Sequence, residues 1–160
     1  MKFEKVSVES FAKAYVSKGA ANTDYKNVKL PQRATPGSAG YDFYSPLAIT
    51  IKPGTSATIP TGIKCDLDAD KVLMIYPRSS FGFKYGVMLA NTVGIIDSDY
   101  YDNDDNEGNI IVKLTNNGSK ELEIKAGDRF CQGIITQFFV VDKDIALKKK
   151  RKGGIGSTSK

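Results

Sequence analysis

From residue 41 to residue 141 the chain is a succession of short β-prone runs, each closed by a turn signal, and this pattern constrains the fold most. The runs fall at 41–43, 47–51, 58–59, 62–67, 71–76, 87–89, 94–96, 109–115, 122–124 and 129–141. Pro36-Gly37, Pro53-Gly54, Asn117-Gly118 and Ala126-Gly127 break the chain into these pieces. Many short strands at close spacing build a β-sandwich or a barrel. The alternation of Leu47, Ile49 and Ile51 agrees. Residues 6–18 are read as a short helix capped by Ser7, with Phe11, Ala14 and Tyr15 on one side; a strand through Val6 and Val8 is the alternative. With 160 residues there is room for one core and no sign of a second. The expectation is an all-β domain over 1–147 and a polar, Gly-rich flexible tail over 148–160.

Residue types that are absent narrow the chemistry. The chain has no histidine, so a histidine-based triad and a His-ligated zinc site are excluded. A general base at neutral pH must then be a carboxylate, with lysine, tyrosine or thiol as lesser candidates. Two cysteines, Cys65 and Cys131, make no disulfide framework and are read as buried free thiols in a reducing compartment. No apolar run reaches the roughly 20 residues of a membrane span, and the first residues lack a secretory signal. A cytoplasmic setting is expected, or a nuclear one in a eukaryote.

Charge is distributed unevenly. Six acids lie between Asp97 and Glu107, and six basic residues between Lys143 and Lys152. A basic run by itself is most often a solvated tail, and nucleic-acid binding is the usual sharper reading. This one leads directly into Gly153-Gly154-Ile155-Gly156-Ser157-Thr158, which suggests phosphate contact at an active site. Specific nucleic-acid binding is therefore not expected.

Four other stretches carry candidate chemistry. Pro77-Arg78-Ser79-Ser80 ends a strand and opens a turn or helix, where backbone N–H groups and a forked guanidinium suit an anion. Its bland reading is a serine cap and a surface ion pair. In Asn91 to Tyr100, a strand and a turn at Asn91-Thr92 lead through Gly94-Ile95-Ile96 to Asp97, read as a hairpin. The apolar pair before Asp97 can desolvate its carboxylate and raise its basicity; the alternative is a solvated acidic loop. Tyr100 is either a site residue or a core tyrosine. Asp42, in Ala39-Gly40-Tyr41-Asp42, is a turn former or a functional acid. Gln132, in Arg129-Phe130-Cys131-Gln132, is a solvent-facing strand residue or a ligand group.

Taken in order, these five stretches resemble the five motifs of the homotrimeric dUTPases. The resemblance implies a distorted jelly roll, a β-clip type of barrel, that trimerises, with the tail of one subunit closing the site of another. It implies hydrolysis of dUTP to dUMP and pyrophosphate by water attack on the α-phosphate, which keeps uracil out of DNA and supplies dUMP for dTMP synthesis. Asp97 would activate the water, and Asp42 would order the catalytic network and the metal's water shell. Arg78, Ser79, Ser80 and Gln132 would hold phosphates. Asn91, Gly94 and Ile96 would bind the uracil edge, and Tyr100 would underlie the deoxyribose. Arg151, Ile155, Gly156 and Ser157 would close over the nucleotide as a lid. Magnesium is the implied metal, carried on substrate phosphates and water with no direct protein ligand.

The chain departs from the family pattern at three places. Ser80 stands where the family usually has Gly, and Ile155 stands where it has a Phe that stacks on uracil. After Tyr100, residues 101–107 form a longer connection with four acids in place of the usual Arg-Gly, and the tail cation falls at Lys150 or Arg151. Two rivals stay open. A dCTP deaminase fits Arg78-Ser79-Ser80, but Lys113 occupies the place of its catalytic glutamate. A dUTPase-like binding or regulatory module is the other.

Overall fold

The computed structural model describes residues 1–15, 18–146 and 153–154, and these build a β-rich subunit of antiparallel sheets. The largest sheet has the order β2 (Gln32–Arg33), β3 (Tyr41–Tyr44), β12 (Arg129–Gln137), β7 (Lys71–Pro77), β9 (Gly94–Ile96). A second sheet orders β5 (Ser56–Pro60), β10 (Ile111–Asn116) and β8 (Val87–Leu89). Two strand pairs complete the set: β1 (Lys2–Lys5) with β6 (Ile63–Asp66), and β4 (Ile49–Ile51) with β11 (Leu122–Ile124). Among the described residues no sheet closes on itself.

Alternation explains why these segments are strands. Along β10, Val112 and Leu114 are buried while Lys113 between them is exposed, the period of a sheet with one wet face. The inner faces meet in one core that includes Phe43, Leu73, Ile75, Ile51, Ile59, Leu114 and Phe130. Each such side chain, fully buried, contributes about 1.5–3 kcal/mol. The long central strand β12 pairs with β3 on one side and β7 on the other. A side chain at Gly133 in its middle would meet Leu73 Cδ1 and Phe43 Cε2 at 2.8 Å, so the core closes over a bare backbone there.

Several expectations are revised. The helix near the N-terminus is α1, Val8–Lys13, shorter than read; Ser7 caps it by accepting from the Ser10 N–H at 3.1 Å. A strand does precede it, but at Lys2–Lys5 and not through Val6 and Val8. A second helix, α2 (Lys18–Tyr25), has no clear signal in the sequence, because Gly19 and the polar Asn22-Thr23-Asp24 interrupt any apolar stripe. The segment after Pro77 is a full helix, α3 (Ser79–Tyr85), closed by Gly86 in the left-handed region. Strand β12 stops at Gln137, where its pairing with Lys71 ends. The apolar residues beyond it stay uncovered: Phe139 is 85% and Val141 77% exposed.

The acidic connection at 101–107 is not a loose loop. Glu107 is clamped to the cap of α1, its carboxylate accepting from the Ser7 N–H at 2.9 Å and the Ser7 hydroxyl at 2.5 Å. These two hydrogen bonds hold the Glu107 carboxyl below the ordinary glutamate range. A carboxylate with a depressed folded-state pKa stabilises the fold above its unfolded-state value, and that stabilisation is lost as pH falls through the folded-state value. Thermal unfolding of the native protein should therefore lose stability more steeply between about pH 5 and pH 3 than that of Glu107→Gln. Parallel profiles for the two proteins would contradict the clamp.

Candidate active site

The sheet architecture gathers the candidate residues into two groups. In the first, Asp42 on β3 stands opposite Gln132 on β12, which stands opposite Tyr76 on β7, so the three share a face. Arg129 Nη1 donates to the Asp42 carboxylate at 3.2 Å, and Arg78 Nη1 donates to the Arg129 carbonyl at 3.2 Å. Asp42 is thus held by one arginine, while a second, just past the end of β7, bonds to the backbone of the first. The Gln132 carboxamide lies against Gly40, where a side chain would meet its Oε1 at 2.8 Å. Arg78 is the N-cap position of α3 and makes no side-chain capping bond; Ser79 is exposed and Ser80 half-buried in the first turn.

The second group lines a cavity of about 320 Å³ in the wedge between the two larger sheets. Its walls include Ile75, Leu89, Asn91, Gly94, Ile96, Tyr100 and Val112. The structure corrects the hairpin reading here. β8 pairs with β10 and β9 pairs with β7, so the turn at Asn91-Thr92 carries the chain from one sheet to the other. Thr92 turns with a φ of 61°, and its N–H reaches the Leu89 carbonyl at 3.1 Å. β9 ends its sheet, so among the described residues no strand pairs with its outer edge. That edge offers backbone donors and acceptors to a flat polar ligand.

Asp97 follows β9 directly and is half-buried. It occupies the N-cap position of the 3₁₀ turn Ser98–Tyr100. Tyr100 is 7% exposed, and its ring forms part of the cavity wall. Gly154 of the tail also lies in this wall, on its own subunit's Tyr100, where the resemblance implies a tail that crosses to a neighbour. A side chain at Gly154 would come within 2.9 Å of Tyr100 Cε2, so only glycine permits this approach. Arg151, Ile155, Gly156 and Ser157, like Lys150, lie outside the described residues.

The chemistry available matches the sequence argument. Both cysteines are buried free thiols. Burial pushes Cys65 up to about 12 and Cys131 well above the usual thiol range, and nearby Asp42 adds to the second shift. Neither is a base or a nucleophile at neutral pH. Lys113 on β10 is exposed, and no acid stands anywhere on that strand. Sequence reasoning gave Arg129 no role, although it is the residue that fixes Asp42; the available signal was its place in the same short stretch as Gln132.

Among the described residues no cluster of three or more His, Cys, Asp or Glu could hold a metal ion. Such a donor set does not fit a metal caged by protein alone.

An apolar cavity walled by a tyrosine and a strand edge, in a subunit that also carries paired arginines at a neighbouring strand end, is the equipment of a nucleotide-handling protein. A family model described as dUTPase matches residues 26–159. The deoxyuridine 5'-triphosphate nucleotidohydrolase of Lactococcus lactis is 43% identical over 139 residues, covering 85% of this chain and 93% of that protein. A crystal structure of dUTPase from Streptococcus mutans superposes with a TM-score of 0.71 at 33% identity, covering 89% of this chain and 99% of the other. A dUTPase from phage phi11 of S. aureus, whose structure coordinates a structural Mg(II) ion, shares the fold at a TM-score of 0.64 and 19% identity, over 78% of this chain and 92% of that one. The chain belongs to the dUTPase family.

Proposed function

We propose that the protein hydrolyses dUTP to dUMP and pyrophosphate, removing a precursor of uracil in DNA and supplying dUMP for dTMP synthesis. The observation that supports this reading is that half-buried Asp97 directly follows Ile96, which with Tyr100 walls a cavity along the edge of β9 that no described strand pairs with. Asp97 takes a proton from a water molecule as the water oxygen bonds to the α-phosphorus. The bond from that phosphorus to the α,β-bridging oxygen breaks, and pyrophosphate leaves with the electron pair. Arg78, Ser79, Ser80 and Gln132 bind phosphate oxygens, and Asp42, fixed by Arg129, orders the water and polar network. Asn91 and the backbone at Gly94 and Ile96 take the uracil edge. Tyr100 is the floor under the deoxyribose. An arm over 148–160, apart from a domain over 1–147, brings Arg151, Gly156 and Ser157 to the phosphates and lays Ile155 over the base.

Magnesium is the proposed cofactor. Bound with the triphosphate, it would neutralise charge on the phosphate oxygens, and Asp42 would accept from its waters.

We infer a homotrimer with sites at the subunit interfaces. The cavity of a single chain has none of Asp42, Arg78 or Gln132 in its walls, which a neighbour's copies would supply. The uncovered apolar residues Phe139, Val140, Val141 and Ile145 suit burial against a second copy. A cytoplasmic location accords with the two free thiols. No helix among the described residues is long and apolar enough to cross a membrane.

The test is pyrophosphate release from dUTP beside ammonia release from dCTP. Pyrophosphate alone supports the reading, and ammonia would move the protein to the deaminases. A second expectation concerns the sugar. A 2′-hydroxyl pressed on the Tyr100 ring loses its hydration without gaining a partner, so UTP should be a poor substrate. Tyr100→Ala should lower kcat/KM for dUTP and narrow the gap between dUTP and UTP. Full wild-type preference in the variant would leave Tyr100 a packing residue.

A further inference from the structure

The longer connection after Tyr100 grips that tyrosine at both of its polar ends. The Tyr100 hydroxyl donates to the Asn109 carbonyl at 3.0 Å and accepts from Asn106 Nδ2 at 2.7 Å. The Tyr100 carbonyl accepts from Asn103 Nδ2 at 2.7 Å. Asn103 is only 4% exposed and Asn106 is half-buried, so the loop turns these asparagines inward while Asp102, Asp104 and Asp105 face water.

Asn106 is itself fixed from several directions. Its Oδ1 accepts from Asn103 Nδ2 at 2.9 Å and from the Gly108 N–H at 3.1 Å, and its N–H donates to Asn103 Oδ1 at 3.1 Å. The loop is then tied to α1. Besides the Ser7–Glu107 clamp, the Ser10 hydroxyl donates to the Asn106 carbonyl at 2.6 Å, and Lys13 Nζ donates to the Asp105 carbonyl at 3.0 Å.

A phenol has one proton to give. With Asn106 donating to its oxygen, the Tyr100 proton points at the Asn109 carbonyl. A sugar hydroxyl arriving at this ring therefore finds the phenolic donor already committed. We propose that Asn106 is a positioning residue for sugar selection: its carboxamide fixes the hydroxyl and tilt of Tyr100, and α1 holds Asn106 in place. The proposal rests on the reading of Tyr100 as the floor under the deoxyribose. It gives the acidic connection, a departure from the usual family pattern, a task at the active site.

The experiment measures kcat/KM for dUTP and UTP in the native protein and in Asn106→Ala, Asn106→Asp, Tyr100→Phe, Tyr100→Ala and the double variant Tyr100→Phe/Asn106→Ala, with melting temperatures alongside. Asn106→Ala should shrink the dUTP-over-UTP ratio roughly three- to tenfold, the effect of one hydrogen bond. In the Tyr100→Phe background the same substitution should change the ratio no further, because the hydroxyl it holds is gone. Asn106→Asp keeps the acceptor that Asn103 and Gly108 use and removes the donor to Tyr100. It should shrink the ratio too, and it decides the matter if Asn106→Ala fails to fold. A lowered melting temperature with the native ratio in both Asn106 variants overturns the proposal and leaves a structural role only. If Tyr100→Ala itself keeps the native ratio, the reading of Tyr100 fails and the proposal falls with it.

Discussion

Asp97→Asn should lower turnover by about 10²–10⁴-fold, the usual effect of losing a general base, while dUTP still binds. The expectation has three supports. With no histidine in the chain, no imidazole can substitute. Burial holds both thiols protonated. Asp97 follows directly on Ile96, a wall of the cavity, and is half-buried. Asparagine keeps the size and one acceptor oxygen but takes no proton. Single-turnover rates should be measured together with the affinity for a non-hydrolysable dUTP analogue. Near-native turnover would remove Asp97 from the mechanism, and lost affinity would make it a binding residue.

Deleting residues 149–160 should reduce kcat/KM by at least about a hundredfold, the scale seen when one preorganised donor to a developing oxyanion is removed, and should leave thermal stability nearly unchanged. The buried core among the described residues reaches no further along the chain than Cys131, so folding has little to lose. The deleted part contains three glycines, two serines and a threonine beside five cations, Lys149, Lys150, Arg151, Lys152 and Lys160, the chemistry of a phosphate lid. Gly154 rests on Tyr100 in the cavity wall. A truncated enzyme with native kcat/KM would contradict the lid. A truncated enzyme that melts far lower would mean that the arm also belongs to the fold.

Much of the architecture could be read from the chain because antiparallel sheets with one wet face print a two-residue period. β10 shows it plainly in Val112, Lys113 and Leu114. The short strands β8, β9 and β11 stand where their apolar runs place them. Helix α2 was hidden because its burial rests on Ala21 and its packing against α1, not on an apolar stripe. The end of β12 was misjudged because Phe138 to Val141 are as apolar as the strand before them. Among the described residues the strand ladder runs out at Gln137 and Lys71, with one further bond from the Phe138 N–H to the Asp70 carbonyl at 3.1 Å, and composition does not record where a ladder ends.

The candidate site residues could be named from the chain, but their grouping could not. Asp42 and Gln132 come from separate stretches and stand opposite each other through the pairing of β3 with β12, while Arg78 follows β7 on the other side of β12. That β8 and β9 enter different sheets, opening the cavity between them, is a tertiary fact that a local turn signal does not contain. Arg129 and Asn106 were missed for a common reason. Each acts on another side chain, Arg129 on Asp42 and Asn106 on Tyr100, across contacts that only the folded chain creates.

The central claim, water attack on the α-phosphorus of dUTP, is tested most directly by running the reaction in ¹⁸O-labelled water and weighing both products. The account predicts dUMP carrying one labelled oxygen and unlabelled pyrophosphate. Label in the pyrophosphate, or dUDP and inorganic phosphate as products, would contradict it.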